Sequence, residues 1–189
     1  MTSGPPAWLA DYGGTPAAID RFRSYVSNET VARVYEAWRQ MKSEPVPFSL
    51  WRWHKVAASV GGEDSRDWKT LYGQLRGHMD GGGILVVIGP SRTGKTRLLE
   101  RLMLHRIIDN SRSGLERDAP VSSGDVPSGL FAIDETQAHD RRDMVRVVSD
   151  MTGGNRGFAM VFQRPESFRD YGIGAHLAMQ SVQFLELVG

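Results

Sequence analysis

The rhythm of apolar and polar positions changes at Gly81-Gly82-Gly83. Before that run the spacing is helical; after it, short continuous apolar stretches alternate with helix-period segments. Helices are predicted over 16–26, from a cap at Asn28 to about 42, over 50–60, and from Ser65 to about 79. In the second, Val31, Val34, Tyr35 and Trp38 share a face, and Glu44-Pro45-Val46-Pro47 breaks the pattern beyond it. In the third, the common face is Leu50, Trp53, Ala57 and Val60, which favours core packing over base stacking for the aromatic-basic run Trp51-Arg52-Trp53-His54-Lys55. Beyond the glycines, strands are predicted over 84–88, 129–133, 158–162 and 182–188. The intervening helices are predicted to run from 97 to about 110, over 138–151 and, briefly, over 165–170. The polar stretch 111–128 reads as a long loop with one short edge strand near Val121, and residues 1–15 as loose chain. Apolar strands separated by helices predict an α/β fold with a mostly parallel sheet flanked by helices, over 81–189. A small helical region carrying all five tryptophans is expected over 1–80.

Composition narrows the class. Lys and Arg number 23 against 22 Asp and Glu, so no overall field advertises nucleic acid, although a ring needs only a few loops to touch it. Without cysteine there are no disulfides and no cysteine–zinc sites. The five histidines are scattered, with no metal-ligand spacing. No apolar run spans a bilayer, and the N-terminal residues lack the basic start and apolar core of a signal peptide. A cytoplasmic protein without membrane insertion is the expectation.

Candidate chemistry begins where the first apolar strand ends. Gly89-Pro90-Ser91-Arg92-Thr93-Gly94-Lys95-Thr96 fits G-x-x-x-x-G-K-[ST] at every fixed position, with Arg97 leading into a helix. Glycines let such a loop curl its N–H groups toward phosphate oxygens, with the start of the following helix adding positive potential. Lys95 is expected at the terminal phosphates of ATP and Thr96 on Mg²⁺. The second strand after the glycine run ends in Asp134-Glu135. Asp134 suits the metal shell and Glu135 a general base for water. Adjacent Asp-Glu argues against small-molecule kinases and GTPases. It favours RecA/ASCE-type P-loop cores, ATPases that insert an additional strand between the phosphate-loop strand and the acidic one. That strand should end in a polar group near the terminal phosphate, and 158–162 runs into Gln163.

Residues 157–168, Gly-Phe-Ala-Met-Val-Phe-Gln-Arg-Pro-Glu-Ser-Phe, resemble the strand ending in T-Q-R-P-S of the FtsK–HerA superfamily of DNA-pumping ATPases. Asn155-Arg156-Gly157 occupies the place of that family's Arg-x-x-Gly segment, at shorter spacing. The similarity covers about residues 84–189, and Phe162 stands where the family has Thr. Only 38 positions separate Thr96 from Asp134, so the compact form is most similar to the small genome-packaging ATPases of membrane-containing double-stranded DNA viruses.

The resemblance implies an ATP-hydrolysing motor on double-stranded DNA, self-associated into a ring of usually six subunits. A capsid or membrane-vertex protein would be a further partner. It also implies an arginine supplied across the subunit interface: Arg156 by position, with Arg164 and Arg169 as alternatives. Arg92 has no assigned role, and Arg112 and Arg117 in the long loop are more simply surface residues than pore contacts. Three other readings compete: a conjugation- or secretion-type ATPase, a nucleotide-gated DNA- or protein-binding switch with little turnover, and an AAA-type ATPase without a DNA load. Secretion relatives commonly carry a membrane segment, and an AAA-type chain would add a helical lid after the last strand; neither is expected here.

Overall fold

The computed structural model describes residues 16–41, 45–57, 66–102, 106–108 and 129–188. Six parallel strands form one sheet: β1 (Trp51–Ala57), β2 (Ile84–Ile88), β3 (Arg106–Ile108), β4 (Phe131–Ile133), β5 (Phe158–Phe162) and β6 (Val182–Val188). Their spatial order is β1-β6-β2-β5-β4-β3. The central strands β2 and β5 are buried at every position, as parallel strands covered on both faces must be.

Alternation along each strand divides the core in two. Ile84, Val86 and Ile88 of β2, with Phe158, Met160 and Phe162 of β5, face one layer. That layer consists of α1 (Pro16–Tyr25), α2 (Asn28–Met41), α5 (Arg141–Gly153) and α6 (Pro165–Tyr171). Leu85 and Val87, with Ala159 and Val161, face α3 (Arg66–Asp80) and α4 (Lys95–Arg101). Gly157 lies where β5 enters the sheet, and a Cβ there would overlap the Met79 carbonyl at the end of α3. Among the described residues, no helix is long and apolar enough to cross a membrane.

The expected helix over 50–60 is instead strand β1 over its described part. Trp51 to Ala57 pair residue by residue with Val182 to Val188 of β6. Two patterns compete in this stretch. The helical one would bury Leu50, which is 40 % exposed, while the strand pattern buries Trp51 and packs Trp53 against the core. Trp51 donates its indole N–H to the Leu177 carbonyl at 3.0 Å, and Trp53 stacks on Phe184 at 5.2 Å. Pairing with a partner far along the chain outweighs local helical spacing here. Residues before Gly81 are therefore not all helical, and the sheet crosses the expected boundary at 80/81.

Smaller differences have local causes. Ser27, not Asn28, caps α2: its Oγ accepts from Thr30 N–H at 3.2 Å, the N-cap-to-third-residue geometry. Helix α4 ends at Arg101 rather than near 110, and the chain re-enters the sheet as edge strand β3 at 106–108. The second predicted strand is shorter, 131–133, and α5 starts at Arg141 because the Asp140 carboxylate accepts from Arg142 N–H at 2.8 Å. The loose segment 1–15, the strand near Val121, and Arg112 and Arg117 lie outside the described residues.

His78, His139 and His176 all titrate below the ordinary histidine value, burial being the main cause in each. His78 is also held by a 2.9 Å contact between Nε2 and the Ile84 carbonyl. Below about pH 6.5 the unfolded chain binds protons that the folded one resists, so stability is full above that pH and declines as pH falls. The urea midpoint is expected to be lower at about pH 5.5 than at about pH 7.5. A midpoint that held or rose on acidification would contradict the burial assigned to these rings.

Candidate nucleotide site

Because every strand runs the same way, the ends of β2, β4 and β5 open on one edge of the sheet. β5 lies between the other two, with Ile88 beside Phe162 and Ile133 beside Met160. The three segments leaving this edge begin at Gly89, Asp134 and Gln163. Loop 89–94 starts with one more ladder bond, from Gly89 N–H to the Phe162 carbonyl at 3.2 Å. It then turns through two left-handed residues, Arg92 at φ 66° and Gly94 at φ 84°, the second a conformation that glycine adopts without steric cost. The Thr93 hydroxyl donates to the Pro90 carbonyl at 2.8 Å and braces the turn. Pro90, Ser91 and Arg92 are exposed along it, as is Arg97 in the first turn of α4.

Lys95 opens α4 and folds back under the loop. Its ammonium donates to the carbonyls of Gly89 at 2.6 Å and Pro90 at 2.7 Å. Burial lowers its pKa, with the Glu135 and Asp134 carboxylates acting the other way. Beside it the Thr96 hydroxyl donates to Asp134 Oδ2 at 2.9 Å, joining the loop helix to the end of β4. Asp134 is only 4 % exposed, and its other oxygen accepts from Glu135 N–H at 2.9 Å.

At Glu135 the backbone adopts φ 47°, ψ 49°, left-handed for a non-glycine residue. Such strain is of order 1–3 kcal/mol and concentrates where function requires it. The Glu135 carboxylate accepts from Gln163 Nε2 at 3.3 Å and from Gln137 Nε2 at 2.6 Å. Thr136, fully buried, donates its hydroxyl to the Ile133 carbonyl at 2.8 Å and accepts from Val161 N–H at 3.0 Å. This clamps the acidic turn to β5. Tyr171 Oη donates to the His139 carbonyl at 2.9 Å and ties the following loop to α6.

The expected residues Lys95, Thr96, Asp134, Glu135 and Gln163 thus converge. Arg156 does not join them. It precedes β5, at the edge where the strands begin, and its backbone N–H bonds the Met151 carbonyl at 2.9 Å. The strand between it and Gln163 spans about 17 Å, more than an arginine side chain reaches. Arg164 is exposed next to Gln163, and Arg169 pairs with Asp170 at 2.9 Å. Thr136 and Gln137 were not anticipated from sequence. Their only signal was polar residues directly after an Asp-Glu pair.

Thr96 and Asp134 offer adjacent hard oxygens of the kind Mg²⁺ takes. Among the described residues no group of three or more His, Asp or Glu gathers, at this site or elsewhere, so such an ion would share its shell with phosphate and water. Comparison of the chain with protein-family models, with characterised proteins and with solved structures finds no match.

Proposed function

We propose that the chain is a RecA/ASCE-type P-loop ATPase that moves double-stranded DNA, with viral genome packaging as the setting the sequence resemblance favours. One observation carries the catalytic part: β5 lies between β2 and β4, so the Gln163 amide reaches the Glu135 carboxylate beside the lysine loop. Strand order β6-β2-β5-β4-β3, with its additional strand next to the phosphate-loop strand, is the arrangement expected of that class. The DNA load and the ring rest on the Gln163-Arg164-Pro165 run and on the position of Arg156.

In this reading loop 89–96 cradles the triphosphate, and Lys95 exchanges its two loop carbonyls for phosphate oxygens. Thr96 and Asp134 would hold Mg²⁺, which would offset the charge of the phosphates. Glu135 takes a proton from water as the water oxygen bonds to the terminal phosphorus. The bond from that phosphorus to the leaving diphosphate breaks, and ADP and phosphate result. Gln163 donates its amide to the terminal phosphate and so senses which nucleotide is present. Trp51 and Trp53 pack in the core, which takes them away from any separate partner-binding module.

Steady-state phosphate release from MgATP, with and without duplex DNA, tests the reading. Turnover that duplex DNA accelerates is expected. Slow turnover indifferent to DNA would replace the motor with a nucleotide-gated switch, and no turnover at all would remove the enzyme.

A further inference from the structure

We infer that Gln137 is a positioning residue for water activation: its amide fixes which oxygen of Glu135 is left to take the proton. The inference rests on the hydrolytic reading above. The left-handed backbone at Glu135 sends the chain into a single 3₁₀ turn over Thr136–Ala138. That turn carries Gln137 back over the carboxylate two positions earlier. Gln137 Nε2 and Gln163 Nε2 both donate to the same oxygen, Oε2, at 2.6 and 3.3 Å. Among the described residues no hydrogen bond reaches Oε1 of Glu135, which leaves that oxygen as the proton acceptor.

The two amides are not equivalent. A bond to an ionised carboxylate strengthens as it shortens, so Gln137 holds Glu135 more firmly than Gln163 does. Gln163 has a second task at the terminal phosphate, and turning to it releases the longer bond. Gln137 then keeps the base in place while the sensor moves. Its own support is rigid: Thr136 is clamped between Ile133 and Val161, and Ala138 N–H bonds the Glu135 carbonyl at 2.8 Å. Gln137 Oε1 is buried with no hydrogen-bond partner among the described residues. A buried acceptor in that position is costly unless satisfied, and a water molecule beside Glu135 would satisfy it.

The test uses the full chain with Gln137→Met, which keeps the length of the side chain and removes the amide, and Gln137→Ala as a second variant. The turnover number is expected to fall about 10- to 100-fold, the range for a misplaced catalytic group, with the KM for MgATP and the thermal midpoint unchanged. In single-turnover measurements, adding Gln137→Met to Glu135→Gln should cost nothing further, because the amide acts through the carboxylate. A parent that hydrolyses ATP alongside a Gln137→Met variant at the parent rate would overturn this inference and leave the hydrolytic reading standing. A loss confined to KM or to thermal stability would also overturn it, marking a structural role. A parent that does not hydrolyse ATP would remove both.

Discussion

Glu135→Gln is expected to lower MgATP turnover by about 10²–10⁴-fold while nucleotide affinity stays near the parent value. The substitution keeps the size of the side chain and its place on a left-handed backbone, so strain at that residue is unchanged. What is lost is the oxygen that takes the proton. On the proposed reading binding should survive, because the contacts assigned to nucleotide and metal belong to Lys95, Thr96 and Asp134, none of which the substitution changes. Single-turnover phosphate release and equilibrium binding of a fluorescent ATP analogue separate the two effects. Turnover at the parent rate would remove Glu135 from the role of base. Loss of binding instead would make it a structural part of the pocket.

The second large effect is assigned to Arg156, whose replacement by alanine should lower turnover by about 10³–10⁵-fold in the assembled protein, the range of a trans-acting arginine. Arg156 sits at the edge where β5 begins, and its own loop lies at the far edge. Under the proposed reading its role is therefore toward the phosphate loop of a neighbouring subunit, not its own. Mixing Arg156→Ala with Glu135→Gln subunits should restore activity, since an intact arginine then meets an intact base at some interfaces. A mixture as inactive as either variant alone would withdraw the trans role from Arg156 and pass it to Arg164 or Arg169.

How far the sequence predicted this arrangement depended on how local each cause was. β2 and β5 were predicted because each is a continuous apolar run buried throughout, and β6 because its apolar positions are interrupted only by Gln183 and Glu186. Their ends fixed Gly89 and Gln163, and the Asp-Glu pair fixed β4, so the converging residues were anticipated before their geometry was known. β1 was missed because Trp51-Arg52-Trp53-His54-Lys55 carries both a helical and a strand pattern, and β6, which decides between them, lies far along the chain. Gln137 was missed for a different reason. Its contact with Glu135 depends on a left-handed turn at a glutamate, which ordinary turn chemistry assigns to glycine or asparagine.

The pairing of β1 with β6 limits where this chain can be cut. An excised fragment beginning at the triple glycine would keep every residue of the candidate site. It would also bare the flank of the terminal strand, with Phe184 stripped of the tryptophans that cover it. Raw sheet margins of that kind recruit other chains. A fragment meant to keep this sheet covered therefore begins upstream of the first tryptophan of β1, which makes that strand a wall of the sheet rather than an attachment bolted onto it.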